Sequence, residues 1–285
     1  MGIILGIASG FFHALMSVAS KKALEGTNQY LLGFAYAAFS LPFLLLALFW
    51  LDLAPTNFSF WWATIASSAS SIIALILFMK ALQIGELSLT APLLSFTPVF
   101  LIFTSRIMLG ESIGFLGICG VALITAGTYA LELRREKGIW GPIKALLKDK
   151  AALMTLIVAL IYSVSSNFNK IAVANSSPIT YLVFVQMISA LVFITIIFLK
   201  SDQKFAGIKS GWKMLLAVGL FTALSLFAQM TALTLAMVPY VISLKRTSAV
   251  FSVILGFIAF KERNIKPKLI GSILMMAGVL LISIS

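Results

Sequence analysis

Charged residues are scarce in this chain, and their scarcity excludes an ordinary soluble domain. Only 11% of the 285 residues are Asp, Glu, Lys or Arg, whereas 61% are hydrophobic. A typical soluble domain is about 25% charged and about 45–50% apolar. The composition therefore predicts a membrane protein, with too little polar chain left over for a separate soluble domain.

Metal ligands and residues for acid–base chemistry are also scarce. The chain has one cysteine, Cys119, and one histidine, His13, each within a hydrophobic run. A single cysteine cannot form an intramolecular disulfide, and the pattern contains no metal-binding spacing. Membrane-embedded enzymes need clustered His, Asp or metal ligands, so we expect no enzyme activity, no metal and no cofactor.

Acidic residues do not occur in the middle of any hydrophobic run. All nine Asp and Glu residues fall in connections or at the edges of runs, and Glu86 lies at such an edge. Proton-driven exporters commonly use an intramembrane carboxylate. The pattern therefore disfavours cationic drugs as cargo and favours exchange of one anion for another, or facilitated diffusion.

Ten hydrophobic runs have the length of a transmembrane helix. A bilayer core of about 30 Å needs about 20 apolar residues per helix. The runs do not alternate in polarity as barrel strands do, so we predict an all-α integral membrane protein with ten transmembrane helices. The runs span approximately residues 3–21, 30–50, 60–81, 88–109, 113–131, 151–171, 178–199, 212–235, 239–260 and 267–284.

The second half of the chain repeats the first. A shift of 151 residues aligns Glu111 with Glu262 and needs no gap over residues 30–131, while a shift of 148 aligns Lys22 with Lys170. Because five helices is an odd number, the two halves must cross the membrane with opposite orientations. Inverted repeats around a site at the membrane midplane are a transporter architecture.

A basic segment joins the two halves. We predict a first five-helix repeat at residues 1–131, a connecting loop at 132–150 and a second five-helix repeat at 151–285. The net charge is +12, and most of the 21 Lys and Arg residues lie in connections that follow odd-numbered runs. The positive-inside rule then places the central loop in the cytoplasm and both termini outside. Since topology explains the basic charge, we expect no nucleic-acid partner.

The segments around Glu111 and Glu262 resemble the EamA-type members of the drug/metabolite transporter superfamily. In both copies an apolar helix is followed by a Gly-Glu or Lys-Glu turn and then by a glycine-rich helix. The resemblance implies ten helices in two inverted repeats around a central cavity, with both termini in the cytoplasm. This orientation disagrees with the charge pattern, so the orientation stays open. We expect a multi-pass protein of a prokaryotic inner or plasma membrane, monomeric or homodimeric.

Two adjacent cations, Lys245 and Arg246, lie near the middle of the ninth run. On insertion scales, placing one charged residue at the centre of a transmembrane helix costs roughly 2.5–3.5 kcal/mol. The pair should therefore face a water-filled cavity. Arg binds phosphate or carboxylate in a bidentate fork. The pair also resembles the Lys-Arg pair of plastid phosphate translocators, which binds substrate phosphate there. The alternative is a structural pair that snorkels or binds backbone carbonyls.

Polar side chains at helical spacing extend the candidate site to other runs. They either line the cavity and hydrogen-bond a substrate, or hold neighbouring helices together. The predicted substrate-binding residues are Lys245, Arg246, His13, Ser17, Tyr162, Ser166, Asn169, Gln229 and Tyr240.

Ionic residues at the ends of helices have separate expected roles. Glu111 and Glu262 should fix the turns and cap the helices that follow them. Lys22 and Lys170 are either snorkelling anchors or contacts of a gate or substrate.

The favoured function is secondary transport, by antiport, of a small anionic or zwitterionic metabolite that bears phosphate or carboxylate. Alternating access would come from the two inverted repeats moving about the site. The alternative is a flippase for a lipid or lipid phosphate, which would use the same cations on a headgroup. The expected partners are therefore a small-molecule substrate and the lipid bilayer.

Overall fold

The computed structural model describes residues 1–24, 27, 29–84, 93–132, 140, 150–200, 208–260 and 266–285, and the secondary structure of these residues is helical, without strands. Glu86, Glu262 and most of the predicted basic loop lie outside the described residues. The helices are α1 (Gly2–Ala23), α2 (Gln29–Ala38), α3 (Leu41–Ala47), α4 (Phe58–Ile84), α5 (Thr97–Leu109), α6 (Phe115–Glu132), α7 (Lys150–Ala174), α8 (Pro178–Lys200), α9 (Ile208–Leu235), α10 (Val238–Lys245), α11 (Ser248–Phe260) and α12 (Lys266–Ser283).

Six spans among the described residues are long and apolar enough to cross a membrane. Three shorter apolar helices accompany them, at Thr97–Leu109, Phe115–Ala130 and Ile270–Ser283. The prediction of an all-helical membrane protein is confirmed. The count of ten transmembrane helices stays a prediction.

The helices that pack most extensively join one half of the chain to the other. α1 packs on α9, and α4 packs on α7. The 148 and 151 shifts relate α1 to α7 and α4 to α9, so the two interfaces correspond to each other. Ser9 and Ser225 exchange hydroxyl-to-carbonyl bonds of 2.9 Å across the first interface. The core of the molecule therefore lies between the halves.

α6 and α12 cross closely at glycines. A Cβ added at Gly120 would lie 2.9 Å from the Gly278 carbonyl, and one added at Gly127 would lie 2.6 Å from the Gly271 carbonyl. The 151 shift relates Gly120 to Gly271 and Gly127 to Gly278, so exchanging the halves exchanges the two contacts. Residue numbers rise along one helix as they fall along the other, so these equivalent helices run antiparallel.

The ninth predicted run is broken where its charges lie. α10 ends at Lys245 and α11 begins at Ser248. Between them the Arg246 amide donates to Ser243 O at 3.0 Å and the Thr247 amide donates to Leu244 O at 3.0 Å, a tighter turn than an α-helix makes. The expectation of one continuous helix over residues 239–260 is therefore wrong, because hydropathy does not report such a turn.

Candidate functional site

A cavity of about 420 Å³ lies between the halves, lined by residues of α1, α4, α5, α7, α8, α9, α10 and α11. We refer to it as the central cavity. Lys245 and Arg246, here named the cation pair, both line it, together with His13, whose Nδ1 has no hydrogen-bond partner among the described residues. The remaining polar lining consists of hydroxyls and carboxamides, and no Asp or Glu occurs among the described lining residues.

The structure brings most of the predicted site residues together. Those that line the central cavity are His13, Tyr162, Ser166, Asn169, Gln229, Lys245 and Arg246. Ser17 and Tyr240 are not among the described lining residues.

Ser17 and Tyr240 have other contacts. The Ser17 hydroxyl donates to the carbonyl of His13 at 2.9 Å, within its own helix. The Tyr240 hydroxyl packs against Gly117 of α6 and accepts a hydrogen bond from Ser285 at 3.1 Å. Lys245 lies five positions after Tyr240 in the helix, which turns their side chains about 140° apart. Helical spacing thus places the Tyr240 and Lys245 side chains on different faces of α10.

The hydrogen bonds described for the cation pair go to neutral oxygen atoms. Lys245 Nζ donates to Gln229 Oε1 at 2.6 Å. Arg246 Nη2 donates to Leu94 O at 3.1 Å and to Thr97 Oγ1 at 3.3 Å. The carbonyl contact of Arg246 is the structural bond that the alternative interpretation anticipated, yet both side chains also face the central cavity.

Two helix breaks meet at this point. The 151 shift relates the turn at residues 246–247 to the turn at residues 95–96, which precedes α5. Arg246 of the second turn donates to residues on both sides of the first. Discontinuous helices commonly form the midplane sites of secondary transporters, because their ends leave polar backbone groups available.

His13 carries an unsatisfied nitrogen at the site. Its Nδ1 is buried and has no hydrogen-bond partner among the described residues. A buried polar atom without a partner costs about 1–3 kcal/mol. A polar group of a bound substrate could therefore form a hydrogen bond with His13 Nδ1 without breaking a described hydrogen bond of the protein.

Sequence analysis missed the α4 and α8 side of the site. Ser67 and Ser71 of α4 and Tyr181 and Gln186 of α8 line the cavity. Tyr181 donates to Asn169 Oδ1 at 2.7 Å, and Ser67 also bonds that oxygen. The cluster of serines at residues 67–71 and the lone carboxamide of α8 were the available signals.

An ionic cluster joins α7 to Glu111 and to the start of α10. Lys170 of α7 donates to Glu111 Oε1 at 2.5 Å and to Ala236 O at 2.8 Å. Glu111 Oε2 accepts the amide of Val238 at 2.9 Å. Glu111 was expected to cap the helix that follows it, α6. It instead holds the first amide of α10 in the other half, and Lys170 is anchored to it.

The sequence model of the EamA-like transporter family matches residues 1–133 and again residues 149–284. The chain belongs to the EamA-like transporter family. The predicted resemblance is confirmed, and the chain is a multi-pass membrane transporter of the drug/metabolite type. Members of the EamA-like family are transporters rather than enzymes.

A protein of known crystal structure shares the fold of this EamA-like chain. It has 14% sequence identity and a TM-score of 0.81, with 99% of this chain and 98% of that chain covered. At this identity the similarity concerns the fold alone. No curated protein matches the chain.

Proposed function

We propose that this EamA-like protein is a secondary transporter that exchanges small organic anions, bearing phosphate or carboxylate, by alternating access. The observation that carries the proposal is the position of the cation pair, which lines a cavity between the two halves at a helix break. The substrate would sit on Lys245 and Arg246, with the other predicted residues of the cavity supplying hydrogen bonds.

The proposed scaffold is ten transmembrane helices in two inverted repeats, at residues 1–131 and 151–285. The antiparallel packing of α6 on α12 supports inversion, because the 151 shift relates these two helices to each other. Two repeats of opposite orientation can exchange conformations, which opens the central cavity to each side in turn. We place the protein in a prokaryotic inner or plasma membrane, as a monomer or homodimer.

The charge of the site favours an anion over a zwitterion. Two cations on consecutive residues attract phosphate or carboxylate, and the guanidinium group of Arg246 can bind either with two parallel hydrogen bonds. The ammonium group of a zwitterion would be repelled by the same charges across a short distance. A cavity of about 420 Å³ matches the small-ligand range of about 300–1,000 Å³.

Ligand-dependent melting of the purified protein tests the site. Glycerol 3-phosphate and malate serve as anion probes, and lactate is compared with alanine because hydroxyl replaces ammonium between them. We expect stabilisation by the anions, and Lys245→Met should weaken it about 10- to 100-fold in apparent affinity, since hydrogen bonds to charged groups contribute about 1.5–3 kcal/mol.

The control variant is Lys213→Met, which removes an exposed lysine of α9. This variant should respond to the probes as the unmodified protein does. Equal responses of the Lys245 and Lys213 variants, or stronger stabilisation by alanine than by lactate, would contradict the anion site.

The flippase alternative places the same cations on a lipid headgroup. Lysophosphatidic acid carries the glycerol phosphate group of the soluble probe on an acyl chain, so the two compounds differ only in the lipid part. Stabilisation by glycerol 3-phosphate at least equal to that by the lipid supports the metabolite transporter. A response to the lipid alone supports the flippase.

A further inference from the structure

The Lys170–Glu111 ion pair joins the two halves of the transporter. Glu111 follows α5 in the first half, and Lys170 lies in the last turns of α7 in the second. Their side chains are 9% and 25% exposed respectively, so the pair is largely shielded from solvent. Lys170 lies one helical turn beyond Ser166, which lines the central cavity. The pair therefore sits at the end of that cavity.

The same carboxylate fixes the start of the helix that carries Lys245. The first amides of a helix have no partner within it, and a negative charge there is favourable. Met237, which precedes α10, has no side-chain oxygen to cap the helix. Glu111 supplies the cap from the other half, through its 2.9 Å bond to the Val238 amide.

Further bonds between the halves lie at this membrane face. The Ala54 amide donates to Thr180 Oγ1 at 2.9 Å. Asn57 Nδ2 donates to Asn175 Oδ1, also at 2.9 Å. Residues 175–180 follow α7 directly, so these bonds lie beyond Lys170 on the same side of the molecule. The described contacts thus hold the two halves together at this face.

We propose that Lys170 and Glu111 form the gate at this end of the central cavity and that α10 couples the gate to the cation pair. This inference rests on the proposed alternating access. α10 has eight residues and is about 12 Å long, with Glu111 bound at its first residue and Lys245 as its last. A shift of α10 on anion binding therefore acts directly on the carboxylate that holds Lys170.

The pair has the chemistry of a contact that can open. Its members belong to different halves, so movement of one half against the other must separate them. Once separated, both charges lie at the mouth of the cavity, where water can solvate them. Neutralising either residue should therefore shift the population of states towards the one that is open at this face.

Cysteine accessibility tests the gate. Ser166→Cys is placed in a Cys119→Ala background, and a membrane-impermeant maleimide is applied to each face of proteoliposomes containing the full chain. Glu111→Gln keeps an oxygen acceptor for the Val238 amide but loses the ion pair, and Lys170→Met removes the cation. Each should raise labelling from the gate face by about tenfold or more, since hydrogen bonds to charged groups are among the stronger contacts in proteins.

Two variants serve as controls for this labelling. Asp52→Asn removes an exposed carboxylate from the loop at the same face, and Lys170→Arg keeps the cation; neither should raise labelling. A single symmetric peak in size-exclusion chromatography shows that each variant is folded. If Lys170→Met does not fold, the near-isosteric Glu111→Gln decides the outcome.

The result is independent of the substrate. An unchanged rate from the gate face in folded Glu111→Gln, or the same rise in Asp52→Asn, would overturn the gate. A rise in Glu111→Gln and Lys170→Met alone supports it. If that rise occurs while Lys245→Met responds normally to anion probes, the gate stands and the proposed anion site fails.

Discussion

Among the described residues, Lys245 has one hydrogen-bond partner, Gln229, whose Oε1 accepts a bond from Lys245 Nζ at 2.6 Å. A charged group inside a membrane protein is tolerated where it is hydrogen-bonded or faces water. Gln229 therefore both stabilises the ammonium group and orients it at the edge of the cavity.

Removing that partner should destabilise the protein. We expect Gln229→Leu to lower the free energy of unfolding by about 1–3 kcal/mol, because Lys245 loses an acceptor while remaining buried. Unfolding in detergent followed by tryptophan fluorescence measures the change. Ser189→Ala is the matched control, since Ser189 lines the cavity and its bond among the described residues goes to Val185 O of its own helix. Equal losses in the two variants would contradict this role of Gln229.

Sequence reasoning at this scale succeeded where a charge or a lone polar residue interrupts an apolar run. Lys245, Arg246 and His13 are conspicuous for that reason, and all three line the cavity. Serines gave a weaker signal, because a serine hydroxyl occurs both in helix packing and in cavity lining. Ser9 packs against Ser225 while Ser67 faces the cavity, and only the rotation of each helix separates the two cases.

At the scale of helices, the glycines of α6 and α12 set how closely these helices approach. A Cβ at Gly127 would meet the Gly271 carbonyl at 2.6 Å and Met275 Cγ at 2.5 Å. The carbonyl belongs to the backbone, so it cannot move aside as a flexible side chain can. The helices must separate to admit any larger residue.

Gly127→Ala should therefore destabilise the α6–α12 contact by about 1–3 kcal/mol, the usual penalty for overpacking. Thermal unfolding in detergent measures the loss. Gly114→Ala is the control, because no atom lies within 4 Å of a Cβ added there, and it should change stability by less than about 0.5 kcal/mol. Similar melting of both variants would show that the close packing contributes little.

Hydropathy predicted where helices occur, but it did not predict where a helix is interrupted. The second run, predicted over residues 30–50, is divided into α2 and α3 just before Pro42, and the ninth is divided at the cation pair. A turn whose backbone hydrogen bonds join residues three apart can have the same apolar residues as an α-helix, so hydropathy does not distinguish the two. Repeat alignment still carries information about such breaks, since the turns at residues 95–96 and 246–247 occupy equivalent positions.

At the scale of the whole molecule, the site and its gate both lie between the halves. α1 and α7 each pack on a helix of the opposite half, and Arg246 reaches across to Leu94. The repeat also aligns Lys22 with Lys170 and Glu262 with Glu111. The sequence therefore predicts a counterpart of the gate at the other face, although Glu262 lies outside the described residues.

Counter-exchange in proteoliposomes measures the central claim most directly. Vesicles preloaded with unlabelled glycerol 3-phosphate or malate, whichever stabilises the protein more, are given the labelled anion outside. We predict uptake that rises at least about tenfold with preloading, and a loss of that rise in Lys245→Met and in Arg246→Gln but not in Lys213→Met. Exchange that persists unchanged in both cation-pair variants would contradict anion transport through this cavity.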